Sequence, residues 1–144
     1  MLSKRYLERY ADVLLWGLKT ARRGRLKKND LVLIRYDLPA LPLAETLYGK
    51  VLEAGRHPVQ RLLQTPGMEM QYYEKGDNRQ LTYITPGEET FYQHLNGSIV
   101  LLAPESITHL SHIDPATIAK PLKARKYLRD ILGRREETEE FSCT

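Results

Sequence analysis

The chain has 144 residues, enough for one domain with a modest core. A hydrophobic fraction of 42% and a mean hydropathy of −0.47 fit a soluble globular protein, and no run approaches the ~20 apolar residues of a membrane-spanning helix. The net charge of +4 permits an anionic partner without requiring one, and the single cysteine, Cys143, excludes an internal disulfide and points to the cytoplasm.

In chain order, Ser3 to Arg23 reads as a first helix with Leu7, Ala11, Leu14, Leu18 and Ala21 on one face and Tyr10 and Trp16 alongside. Its apolar residues are broken by Arg5, Glu8, Arg9 and Asp12, which is not a signal-peptide pattern. Gly24 marks its end. The basic run Lys19 to Lys28 admits two readings. One is a phosphate or nucleic-acid patch. The other is a helix C-terminus whose cations complement the dipole, followed by a solvated turn. No aromatic residues interleave with the charges as a single-strand binder requires, which favours the second reading and argues against a nucleic-acid partner.

Asp30 to Gln64 organises the rest. Leu31 to Tyr36 is a short apolar run suited to a strand buried on both faces. Pro39 and Pro42 belong in a first helical turn, Leu43, Leu47, Val51 and Ala54 follow at helical spacing, and Gly55 sits where a left-handed cap belongs. Val59 to Leu63 is the next strand. Strand, helix, strand makes a βαβ unit with parallel strands and a right-handed crossover.

Beyond it, Thr65-Pro66-Gly67 is a break and Met68 to Lys75 a short helix carrying Tyr72 and Tyr73. Gly76-Asp77-Asn78 reads as a turn, and Leu81 to Ile84 leaves an edge strand open. Glu88 to Leu95 reads as a helix with Phe91, Tyr92 and Leu95 inward, and Ser98 to Ala103 as a strand. Asp114-Pro115 starts a final helix carrying Ile118, Leu122, Leu128, Ile131 and Leu132. Pro121 should kink or restart it, and Gly133 should end it. The expected fold class is α/β: a small parallel β-sheet of about three to four strands, Rossmann- or flavodoxin-like, order 2-1-3, flanked by helices on both faces. Residues 1–135 form the expected domain and 136–144 a polar linker.

The loop after the first strand, Tyr36 to Pro42, has no glycine, and its prolines remove N–H groups that would cradle a phosphate, so dinucleotide or P-loop chemistry is not expected. Asp37, at the carboxyl end of that strand, is placed for a catalytic acid or metal ligand, or alternatively bonds nearby backbone. His109 and His112, with Asp114 following, are a weak zinc pattern without a fourth ligand or adjacent base. Asp37, His109 and His112 are the candidates for ligand contact. A complete small enzyme would need all three to converge. His57 and His94 stand isolated, and Cys143 has no patterned histidine partner to make it a nucleophile. No complete active site is legible from the residues.

The order of features resembles the N-terminal domain of the aminopeptidase T family of dinuclear metallo-aminopeptidases. Tyr10-Ala11, Leu26 to Ile34, Leu41 to Tyr48 and Glu53 to Pro58 are similar to that family's first helix, first strand, crossover helix and the approach to its second strand. Ile113-Asp114-Pro115 with Ala119 resembles its later helix start. Arg134 to Glu137 with Phe141 to Thr144 resembles the segment leading into its catalytic domain. Pro121 and the proline-rich loop from Asp37 to Pro42 depart from the pattern. The resemblance implies a non-catalytic N-terminal domain of a cytoplasmic peptidase, shaping access to the active site and supporting assembly. It implies no catalytic or metal-ligating residue in this stretch, and two divalent metal ions (zinc, cobalt or manganese) in a missing C-terminal catalytic domain. The implied partners are that domain, a second copy in a homodimer, and a peptide substrate. The alternative from the residues alone is a free-standing α/β binding module for an anionic ligand or nucleic acid.

Overall fold

The computed structural model describes residues 2–22 and 26–144. The first helix, α1 (Lys4–Ala21), begins where the Ser3 hydroxyl accepts from the Tyr6 N–H. Strand β1 (Leu31–Tyr36) follows, then a 3-10 turn (Leu38–Ala40) running into α2 (Leu41–Glu53), and strand β2 (His57–Leu62). Helix α2 stops at Gly55, whose φ of +73° only glycine adopts without strain. The Arg56 N–H reaches back to the Val51 carbonyl at 3.1 Å and the Gly55 N–H to Leu52 at 2.9 Å, so the last-turn carbonyls are satisfied and the chain reverses into β2.

Three short helices come next: α3 (Pro66–Lys75), α4 (Asn78–Leu81) and α5 (Glu88–His94). Strand β3 (Gly97–Leu101), helices α6 (Pro115–Ala124) and α7 (Lys126–Glu137) and strand β4 (Ser142–Cys143) complete the chain. The strands form one parallel sheet in the order β2-β1-β3-β4. The fold is α/β, as the alternation of short apolar runs and helical periodicity predicts.

Alternation along each strand divides the core. Val32, Ile34 and Tyr36 of β1 and Ile99 and Leu101 of β3 face α1 and α2, where Ala11, Leu18, Ala44, Leu47 and Val51 are buried against them. Leu33 faces the other way and meets Leu95 and Phe141. Tyr92 of α5 packs with Leu128 and Ile131 of α7 on that side. Truncating a fully buried leucine such as Leu47 to alanine would cost about 2–5 kcal/mol.

Several local expectations are corrected. Asp77 does not sit in a simple turn: its carboxylate accepts from the Gln80 N–H and the Gln80 side chain returns the bond, a capping box that starts α4. That helix takes up Leu81, so Leu81 to Ile84 is not a strand. Tyr10 and Trp16 point outward, Trp16 being 67% exposed, and Leu122 is also exposed. Pro121 lies within α6, and the chain breaks four residues later at Arg125, whose N–H bonds the Pro121 carbonyl. Gly133 does not end α7. A glycine costs a helix only about 1 kcal/mol, and the buried Leu128 and Ile131 together with Arg135, which donates to the carbonyls of Tyr92 and Leu95, outweigh that.

The largest correction concerns 136–144, read from its polarity as a linker. Phe141 is 4% exposed, the Ser142 hydroxyl donates to the Leu18 carbonyl at 2.8 Å, and Ser142 and Cys143 pair with Gly97 and Ser98. One aromatic ring and a two-residue ladder are enough to seat this segment on the sheet.

Candidate functional site

A cleft of about 560 Å³ opens at the carboxyl ends of β1, β2 and β3. In parallel sheets this is where ligands are usually held, because neighbouring strand ends diverge into separate loops. Here the walls come from the strand ends, α3, the loop after β3, and Arg125 at the junction of α6 and α7.

Asp37 sits at its edge. Its Oδ2 accepts from the Ala103 N–H at 2.7 Å, and its own N–H donates to the Leu101 carbonyl at 3.0 Å. The carboxylate therefore stitches the end of β1 to the end of β3, bonding backbone that is distant in sequence. His109 lines the same cleft, with Nε2 3.0 Å from Glu69 Oε1 on α3. His112 does not join them. Its Nε2 lies 2.6 Å from Glu74 Oε1, on a more exposed part of α3. The two histidines thus take separate glutamate partners, five residues apart on one helix. His94 pairs Nδ1 with the Thr90 carbonyl of its own helix, and His57 is exposed at the start of β2.

The charged core of the cleft was not legible as a site. Glu88, the first residue of α5, is buried and binds Arg61 of β2 at 2.7 Å and Arg125 at 2.9 Å. Burial pushes the Glu88 carboxyl up, but the hydrogen bonds from Arg125 and Arg61 outweigh it and hold the group below the ordinary glutamate value. Burial lowers Arg125 in turn, while Glu88 and the Tyr92 hydroxyl raise it above the usual arginine value. Arg61 also lies over the Phe91 ring, 4.5 Å from its centroid. Arg35 of β1 is the register partner of Arg61, and its Nε is enclosed without a protein acceptor. A prediction from sequence would have needed the strand register to see that pair.

The basic run is only partly a solvated turn. Arg22 is 4% exposed, with Nη1 2.9 Å from Asp30 Oδ2 and Nε donating to the Glu139 carbonyl. It is committed to the fold, whereas Lys19, Lys27 and Lys28 are exposed and residues 23–25 lie outside the described residues. Around Cys143, packing first and the Glu136 charge second push the thiol above its usual value, against a smaller opposing effect of Arg35. That is the reverse of what activates a thiol.

Among the described residues, no group of three or more His, Cys, Asp or Glu side chains is arranged to hold a metal ion. The donors nearest to such a set bond elsewhere, Asp37 Oδ2 to the Ala103 N–H and His109 Nε2 to Glu69. No described helix is long and apolar enough to cross a membrane.

The family model described as thermophilic metalloprotease (M29) matches residues 3–144. A search of curated proteins gives no match. Among solved structures, wild-type AmpT from Thermus thermophilus is similar with a TM-score of 0.65 and 15% identity, a likeness of fold. The match covers 98% of this chain and 36% of that one, so the chain spans about a third of the structure it resembles. The match over nearly every residue places the chain in the M29 family of thermophilic metalloproteases.

Proposed function

We propose that this chain is the non-catalytic N-terminal domain of a metal-dependent aminopeptidase, an enzyme that removes N-terminal amino acids from peptides. The supporting observation is one of proportion. The chain matches the family over residues 3–144, yet accounts for only 36% of a solved chain of the same fold. Among the described residues no group of three or more His, Cys, Asp or Glu side chains is arranged to hold a metal ion. In this reading two divalent ions, zinc, cobalt or manganese, are held by a separate C-terminal catalytic domain. Residues 1–144 shape access to that domain and contribute to a homodimer in the cytoplasm. Asp37, His109 and the arginines of the cleft then serve as a binding and packing surface and not as a reaction centre.

The test combines metal analysis with an aminopeptidase assay on the purified chain. Loaded with zinc, cobalt or manganese and desalted, it is expected to retain less than one ion per chain and to leave leucine p-nitroanilide intact. Two tightly held ions per chain with turnover of that substrate would overturn the proposal.

A further inference from the structure

The cleft holds an imbalance that the fold does not resolve. Arg35 and Arg61 are register partners on adjacent parallel strands. Their stems leave the same face of the sheet, with the strands about 4.8 Å apart. Like charges so placed repel. Arg61 is relieved, since Glu88 binds it at 2.7 Å and the Phe91 ring lies beneath it. Arg125 shares the same carboxylate. Arg35 has no such relief: among the described residues no carboxylate bonds it, and its Nε is buried without a partner. The other acids lining the cleft bond elsewhere through one oxygen each, Asp37 Oδ2 to the Ala103 N–H and Glu69 Oε1 to His109. A second orphan lines the same space, since His109 Nδ1 is also buried and unpartnered.

A buried guanidinium N–H without an acceptor is costly and is normally met by water or a ligand. The neighbours of Arg35 in the cleft are compensated, Arg61 and Arg125 by the carboxylate of Glu88 that they share. The planar fork of an arginine pairs best with the two oxygens of a carboxylate. The cleft volume of about 560 Å³ falls within the ~300–1,000 Å³ usual for small-molecule sites.

The geometry points to a binding site for a small carboxylate at the carboxyl ends of β1 and β2, with Arg35 as the residue that takes its charge. The carboxylate completes the alternation of charge that Glu88 begins: Arg125, Glu88, Arg61, ligand, Arg35. This site does not depend on the peptidase reading, and its test is separate from any measurement of metal or turnover.

The experiment titrates the full chain with N-acetylglycine, with N-acetylglycinamide as a neutral control of nearly the same shape, and with inorganic phosphate. The readouts are the Arg35 Nε–H resonance and the thermal midpoint. N-acetylglycine is expected to shift that resonance saturably and to raise the midpoint, while the amide does neither. Arg35→Met is expected to weaken binding at least ~10-fold, the worth of one charged hydrogen-bonded pair. Because this variant leaves no buried N–H unpaired, it should melt no lower than the parent. An Arg35 resonance unmoved by N-acetylglycine, or moved equally by the amide, would overturn the proposal. So would a response to phosphate without one to N-acetylglycine.

Discussion

Replacing Glu88 by glutamine removes one negative charge from between two arginines and changes little else. Glutamine keeps the volume and one acceptor oxygen, so the loss isolates charge from shape. The carboxylate makes two charge-assisted hydrogen bonds, at 2.7 Å to Arg61 and 2.9 Å to Arg125. Each such bond is worth about 1.5–3 kcal/mol when buried. Arg61 and Arg125 are 39% and 36% exposed at their side chains, so solvent screens part of that and each can turn toward water. The expected loss is therefore about 2 kcal/mol near neutral pH, well short of the ~3–5 kcal/mol of a fully buried broken pair. The pH dependence supplies a second, sharper check. The Glu88 carboxyl is held below its ordinary value, so its stabilisation is complete above the ordinary glutamate value of 4.5 and is lost as pH falls through the lowered one. Urea unfolding of parent and variant should differ most at pH 7 and converge in strong acid. A gap that stays constant across that range would show that glutamine disturbs packing and that the charge does not matter.

Two further substitutions probe the frame around the cleft. Asp30→Ala strands the buried Arg22 guanidinium and also frees the Lys27 N–H that Asp30 accepts at 2.7 Å. It should cost about 3–5 kcal/mol by urea unfolding, and combining it with Arg22→Met should restore part of that loss, whereas simple additivity would rule out a coupled pair. Gly76→Ala drives a Cβ into the Tyr72 carbonyl oxygen, a backbone atom that cannot move away cheaply. A loss of about 1–3 kcal/mol is expected, with an unchanged melting midpoint as the contrary result.

How much could be read beforehand depended on whether the signal was local. Leu31 to Tyr36, the α2 periodicity and Gly55 announce themselves within a few residues, and the order 2-1-3 expected for β1, β2 and β3 is the one observed. Strand β4 could not be found that way, because two residues carry no alternation. Phe141, a lone ring in a charged tail, was the available hint. The cleft was less legible still. Arg35 and Arg61 are 26 positions apart and meet only through strand register, and Glu88 reads as an ordinary acidic residue in the first turn of a helix. His109 and His112 illustrate the converse. Their spacing of three suggests a shared metal, yet in an irregular segment it turns them toward Glu69 and Glu74 separately. Arg22 sits in a run that looks solvated, and only its burial beside Asp30 separates it from its neighbours.

The bonds from Arg22 to the Glu139 carbonyl and from Ser142 to Leu18 join residues 117 and 124 positions apart. A chain that emerges from the ribosome at roughly 5–20 residues per second delivers the two ends of each contact on the order of ten seconds apart. For that interval the Leu18 carbonyl and the Arg22 Nε lack their last-segment partners, while Asp30 holds the Arg22 guanidinium and α2 and β1 cover the inner apolar face of α1. Closure over this end of α1 is therefore expected to come in one late step, when residues 139–142 arrive.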